Sequence, residues 1–343
     1  MARFGAWVKK HFRPKTTNQK NPELPFLDNS RRPITPTTFE TQTSLLFNLP
    51  YEIREIILLI VLDGCGIHMD LVHRKEGWKW RGAICHRSHL RVHNLRYCGP
   101  GLWNDQCLTH FKDDGDIEPM YKLGIMGFLL SCKQGYAEGI HMLYSVKYIQ
   151  ISSQPLLLHL PQLVPAVRLG SITTMEVVVK ADRIEQDSGS PSFSFDHLEP
   201  ILENIRKHCH HLRSLYLSFL TVSVGCRNLD GPSLATIDAF YHSTRLRDLR
   251  IELPDDTYYR KLRTHEPEIS HPREAPITGP FKKSKWRALD GVEPSVQWRS
   301  IERYPYPPLK MPLHENGDED VESAGYWLLE GDLWGKPVAS VLI

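Results

Sequence analysis

Leu212-Arg213-Ser214-Leu215-Tyr216-Leu217 and Leu246-Arg247-Asp248-Leu249-Arg250-Ile251 share one spacing, apolar-x-x-apolar-x-apolar. The closing apolar positions alternate with polar ones, as in a strand that buries one face. The same spacing returns at Val146/Ile149/Ile151 and at Ile172/Met175/Val177. Between the copies lie stretches of helical period. Leu198, Ile201, Leu202 and Ile205 fall on one face, with Asp196-x-x-Glu199 as a candidate capping box and Pro200 in the first turn. Leu234, Ile237, Phe240 and Tyr241 fall likewise. Strand alternating with helix predicts right-handed βαβ units on a parallel sheet. Leu215, Leu217, Leu249 and Ile251 are then expected to be buried in adjacent strands.

Leu-x-x-Leu-x-Leu is also the strand core of a leucine-rich repeat. The offsets between copies here, 26, 40 and 34 residues, are too uneven for a regular solenoid. The expected class is α/β, with an irregular leucine-rich-repeat-like strand/helix layer. The Ser-, Asp- and Gly-rich stretch 181–195 reads as a loop between two units.

Upstream, Leu49-Pro50-Tyr51-Glu52-Ile53-Arg54-Glu55-Ile56-Ile57-Leu58-Leu59-Ile60-Val61-Leu62 predicts a short helix. Proline is tolerated in a first turn, where its missing N–H has no partner to lose. Glu52 and Glu55 suit the positive end of the helix dipole. Ile53, Ile56, Ile57, Ile60 and Val61 form one apolar stripe, and Asp63-Gly64 supplies a C-cap. So short a helix must dock that stripe on something.

The pattern Leu-Pro-x-Glu-Ile-Arg-x-x-Ile resembles the opening of an F-box. A second block, Leu129-Leu130-Ser131-Cys132-Lys133-Gln134-Gly135-Tyr136-Ala137-Glu138-Gly139-Ile140-His141-Met142-Leu143-Tyr144-Ser145, is similar to the segment that follows in a fungal F-box-like family of uncharacterised proteins. There an F-box-like helical start leads into a domain of unknown function. The resemblance covers roughly residues 44–180, with an insertion at about 63–127. It implies that Leu49, Pro50, Ile53, Ile56, Ile57 and Ile60 face a Skp-family adaptor of a cullin-type ubiquitin ligase. The layer from about 146 to 255 would then select a protein substrate. Gly135 and Gly139 each cost the second helix about 0.5–1 kcal/mol relative to alanine.

The rest of the chain divides by composition. Residues 1–43 read as a basic tail and linker, with six cations and no acid before Pro22. Residues 181–255 continue the repeat-like layer. Residues 256–343 form a proline-rich irregular tail that ends in an aromatic segment, Tyr326-Trp327-Leu328 with Trp334. That much aromatic area is costly to leave wet, so it is expected to dock on the body. Pro305-Tyr306-Pro307-Pro308 reads as linker, with a polyproline turn as the alternative.

Net charge is +2 and charged residues make up 24%, so the chain as a whole is not committed to nucleic acid or membrane. No apolar run is long enough to span a bilayer. Seven cysteines at irregular spacing argue for reduced thiols and a cytoplasmic or nuclear protein. Cys85, His86, His89, His93, Cys98, Cys107 and His110 are the best metal candidates, yet they contain no Cys-x-x-Cys knuckle. They are expected to hold no cofactor. Gly77-Trp78-Lys79-Trp80-Arg81 mixes aromatics with charge as stacking surfaces do, but reads as a partly buried strand edge. There is no P-loop, no Gly-x-Ser-x-Gly elbow and no His-Glu-x-x-His. The chain is therefore read as a non-catalytic interaction module. The alternatives are a self-contained binding domain without a ubiquitin role, and a zinc-containing domain.

Overall fold

A computed structural model describes residues 23–27, 44–61, 66–84, 91–92, 95–96, 126–145, 148–184, 192–220, 232–254, 257–258, 284–290, 295–297 and 324–330. Its helices are α1 (Tyr51–Val61), α2 (Met126–Ser131), α3 (Lys133–Ser145), α4 (Gln154–Leu158), α5 (Leu160–Leu163), α6 (Ala166–Ser171), α7 (Leu198–His208) and α8 (Leu234–His242). The first strands are β1 (Ile67–Arg74), β2 (Gly77–Ile84), β3 (Arg91–Val92), β4 (Leu95–Arg96), β5 (Tyr148–Ile151) and β6 (Thr174–Lys180). After them come β7 (Asp182–Ile184), β8 (Ser192–Ser194), β9 (Ser214–Leu220), β10 (Asp248–Leu253), β11 (Ser284–Ala288), β12 (Ser295–Gln297) and β13 (Gly325–Glu330).

Nine strands form one sheet in the order β12-β11-β13-β10-β9-β6-β5-β1-β2. From β1 through β5, β6, β9 and β10 each strand lies parallel beside the one before it. Successive right-handed crossovers in one direction place their connections on one face of a sheet. The core shows this. Ile149, Ile151, Met175, Val177, Leu215, Leu217, Leu249 and Ile251 cluster with Leu156, Leu160, Leu169, Ile201, Leu202, Ile205, Ile237 and Phe240 from the helices. Leu215 pairs with Leu249 and Leu217 with Ile251, all at most 1% exposed. The protein is thus a mixed α/β fold, as the alternating pattern predicts.

The other sheet face carries the residues in between. His68, Gln150, Glu176, Tyr216, Arg250, Trp327 and Trp286 stand in one transverse row, set by the register of seven neighbouring strands. Gln150 donates to Glu176 Oε1 at 3.3 Å, and Tyr216 donates to Glu252 Oε2 at 2.7 Å. Burial, with the Glu252 charge beside it, pushes the Tyr216 hydroxyl pKa well above its ordinary value. Trp286, Trp327, Tyr216, Ala288 and Leu329 make an apolar cluster at one end of this face.

Several expectations need correction. The segment after α1 is more than an insertion, because β1 and β2 within it extend the sheet and Leu71 enters the core. Alternation explains this: Ile67, Met69 and Leu71 interleave with His68 and Asp70. Asp70 accepts from the backbone N–H groups of Ser152 and Ser153, tying β1 to the start of α4. The stretch 181–195 contains the β7–β8 hairpin. Asp196 does not cap α7. His197 precedes the helix with no side-chain cap bond, while the Asp196 N–H donates to Ser194 Oγ.

The 256–343 span is likewise no mere appendage. β11, β12 and β13 belong to the main sheet, with β13 parallel to β10. Tyr326, Trp327 and Leu328 are at most 2% exposed, so this aromatic segment docks by joining the sheet. Arg287 forks onto Asp238 of α8 at 2.9 and 2.6 Å, and the Tyr326 hydroxyl donates to the same carboxylate at 2.7 Å. In the N-terminal region, Leu24 packs against the core and the Leu27 N–H donates to the Gln162 carbonyl. Trp334, the Pro305–Pro308 motif and the Cys85–His110 cluster lie outside the described residues.

Candidate interaction surface

α1 begins directly after Pro50, whose carbonyl accepts from the Ile53 and Arg54 N–H groups. The helix has two unlike faces. The inner one is narrow. Leu58, 3% exposed, joins Ile67, Leu129, Ile140, Met142 and Leu143, with Leu59 packed alongside. Arg54 completes it. Its Nε and Nη2 donate to the two Glu138 carboxylate oxygens on α3 at 2.8 and 2.7 Å. Its Nη1 donates to the Leu49 and Phe47 carbonyls, which fastens the turn ahead of the helix. The guanidinium also lies over the Phe47 and Tyr51 rings, at 5.8 and 5.7 Å from their centroids. The Glu138 hydrogen bonds raise the Arg54 pKa above its ordinary value. Partial burial, followed by the charges of Glu55 and Glu138, raises that of the Tyr51 hydroxyl.

Glu138 is itself held by Gln134, whose Nε2 donates to Oε1 at 2.9 Å. The two sequence blocks therefore meet through Arg54, Gln134 and Glu138. Phe47 stacks on Phe128 with centroids 6.0 Å apart, closing the same joint. The glycines of α3 belong to it too. A Cβ on Gly139 would stand 2.7 Å from a Leu129 methyl, and one on Gly135 would stand 2.9 Å from the Phe128 carbonyl oxygen. Their helix-propensity cost is accepted because α2 folds back against α3 at this point.

The outer face of α1 holds the predicted stripe. Ile53, Ile56 and Ile60 are 44%, 52% and 71% exposed, Pro50 is exposed and Ile57 is half-buried. Leu49 at 37%, Tyr51 at 46% and Leu45 at 88% extend the apolar surface ahead of the helix. Sequence periodicity places Ile53, Ile56 and Ile60 on one exposed face, with Ile57 turned partly inward. It misses Arg54 and Leu58, which anchor the helix from behind.

Among the described residues no group of three or more His, Cys, Asp or Glu side chains is arranged to hold a metal ion. None of the described helices is long and apolar enough to cross a membrane.

The architecture is that of a mixed α/β protein with its helices layered on one face of a largely parallel sheet and a helical element at its start. By its sequence the chain belongs to the DUF7730 family, a domain of unknown function, whose model matches residues 39–223. That span runs from the turn before α1 to just beyond β9. No curated protein and no solved structure matches the chain.

Proposed function

We propose that this chain is a non-catalytic, F-box-like interaction module of the cytoplasm or nucleus. The outer face of α1 docks a Skp-family adaptor of a cullin-type ubiquitin ligase, and the leucine-rich-repeat-like layer selects a protein substrate. One observation carries the reading. Ile53, Ile56 and Ile60 stand in water on a helix that Arg54 and Leu58 hold from the opposite side. A contiguous exposed apolar patch is the mark of a docking surface, and this spacing suits a helix laid in a partner's groove. The joining of the two F-box-like blocks by Arg54 and Glu138 supports it, as does the run of adjacent parallel strands with helices on one side.

The test is complex formation between the full-length protein and a purified fungal Skp-family adaptor, read by size exclusion and calorimetry. A one-to-one complex is expected, and Ile53→Asp with Ile57→Asp should abolish it, since each places a charge in an apolar contact. Absence of any complex with the unmutated chain would refute the ligase reading.

A further inference from the structure

One edge of the sheet ends in an eight-residue strand paired on one side. β2 closes the strand order, and among the described residues no strand joins its outer edge. Such an edge presents backbone N–H and C=O groups at every second residue, a template for another extended chain. The pleat divides its side chains. Arg81 lies opposite Asp70 and bonds to it at 3.0 Å, and Lys79, which shares that face, pairs with Glu76 at the surface. Trp78 and Trp80 take the other face, where Trp78 packs against the core and Trp80 is 47% exposed. The turn adds Arg74 and Lys75, so residues 70–81 hold four cations against Asp70 and Glu76.

We propose that this edge accepts an extended segment of a partner protein in which acidic and β-branched residues alternate. Cross-strand neighbours on one face would meet Lys79, whose bridge to Glu76 is solvent-exposed and can exchange, within a hairpin of net positive charge where carboxylates are favourable. Those on the other would meet Trp80, where valine or isoleucine packs well. The period of two matches both faces in a single register, and a one-residue slip puts carboxylates beside tryptophan. Backbone bonds supply affinity and the alternation supplies selectivity. This surface is separate from α1, so it stands or falls independently of the adaptor.

The test follows amide exchange across 77–84 in the full-length protein. The probe is a blocked peptide of alternating glutamate and valine at millimolar concentration. It should slow exchange in β2 several-fold and shift the Trp80 fluorescence, while a peptide of the same composition in block order should do neither. A Lys75→Glu, Lys79→Glu variant, checked as folded by circular dichroism, should lose that response and gain one to alternating lysine and valine. No protection by the alternating peptide, or equal protection by the block peptide, would overturn the proposal. So would an equal response to oligothymidylate, which would make the basic hairpin a nucleic-acid surface instead.

Discussion

Arg54 donates from both sides of its guanidinium to a carboxylate eighty-four residues further along the chain. Both side chains are 11% exposed, so neither is well screened by solvent. Removing the cation alone leaves the half-buried Glu138 carboxylate with Gln134 but without its countercharge. Arg54→Ala should therefore destabilise the protein by roughly 3–5 kcal/mol, the range for breaking a buried pair. Arg54→Lys keeps the charge but cannot reproduce the two-pronged contact, so it should recover only part of the loss. The measurement is the urea midpoint at unchanged slope. An Arg54→Ala midpoint equal to that of the parent would mean the pair behaves like a surface bridge, worth at most about 1 kcal/mol. Gln134 and the two carbonyls fastened by Arg54 would then need another explanation for their convergence.

At the scale of the helix, α1 makes a contrast that separates binding from folding. Ile56 is 52% exposed and Leu58 is 3% exposed, two positions apart on the same helix. Ile56→Asp should change stability by no more than about 0.5 kcal/mol, as surface substitutions do. Leu58→Asp should cost several kcal/mol, because it puts a charge among Ile67, Leu129 and Met142. Thermal melts of the two variants check this, and comparable losses would place the isoleucine stripe in a core. The stripe was legible because periodicity states which residues share a face. What covers that face was not, because Arg54 and Glu138 lie far apart in the chain and their contact carries no local signal. The strands after α1 escaped for a related reason. The alternation of Ile67, Met69 and Leu71 is a plain strand pattern, yet it falls between two family-like blocks and reads as an interruption of them. The β9–β10 pair was legible since both copies keep the same spacing and a helical stretch separates them. Asp196 as a cap failed because the chain turned one residue later, giving its N–H to Ser194 instead.

Across the whole molecule, the chain's last strands complete a sheet that its earlier ones begin. β13 lies between β10 and β11, so the edge of β10 is paired only when residues beyond 323 are present. Proline and charge through 256–323 read as an irregular stretch ahead of a docking aromatic segment, and the short apolar pieces Trp286–Leu289 and Tyr326–Leu329 are both buried in the folded protein. Each buried aromatic side chain covers about 150–250 Å², worth up to about 4–6 kcal/mol at 25 cal/mol per Å². Loss of the tail also strips Asp238, 8% exposed in the full-length protein, of both Arg287 and Tyr326. A chain ending at Leu253 should therefore melt well below the full-length protein and associate, since β10 would offer an open edge rich in Leu249, Ile251 and Leu253. Asp238→Asn in the full chain isolates the electrostatic part. It keeps the shape and some hydrogen bonding but removes the charge that Arg287 faces, so it should lower stability by less than truncation does. Calorimetry and sedimentation of the three proteins decide the matter. If the truncated chain melts with the parent and stays monomeric, the last three strands contribute nothing to the fold. If Asp238→Asn is as damaging as truncation, the buried triad outweighs the aromatic packing.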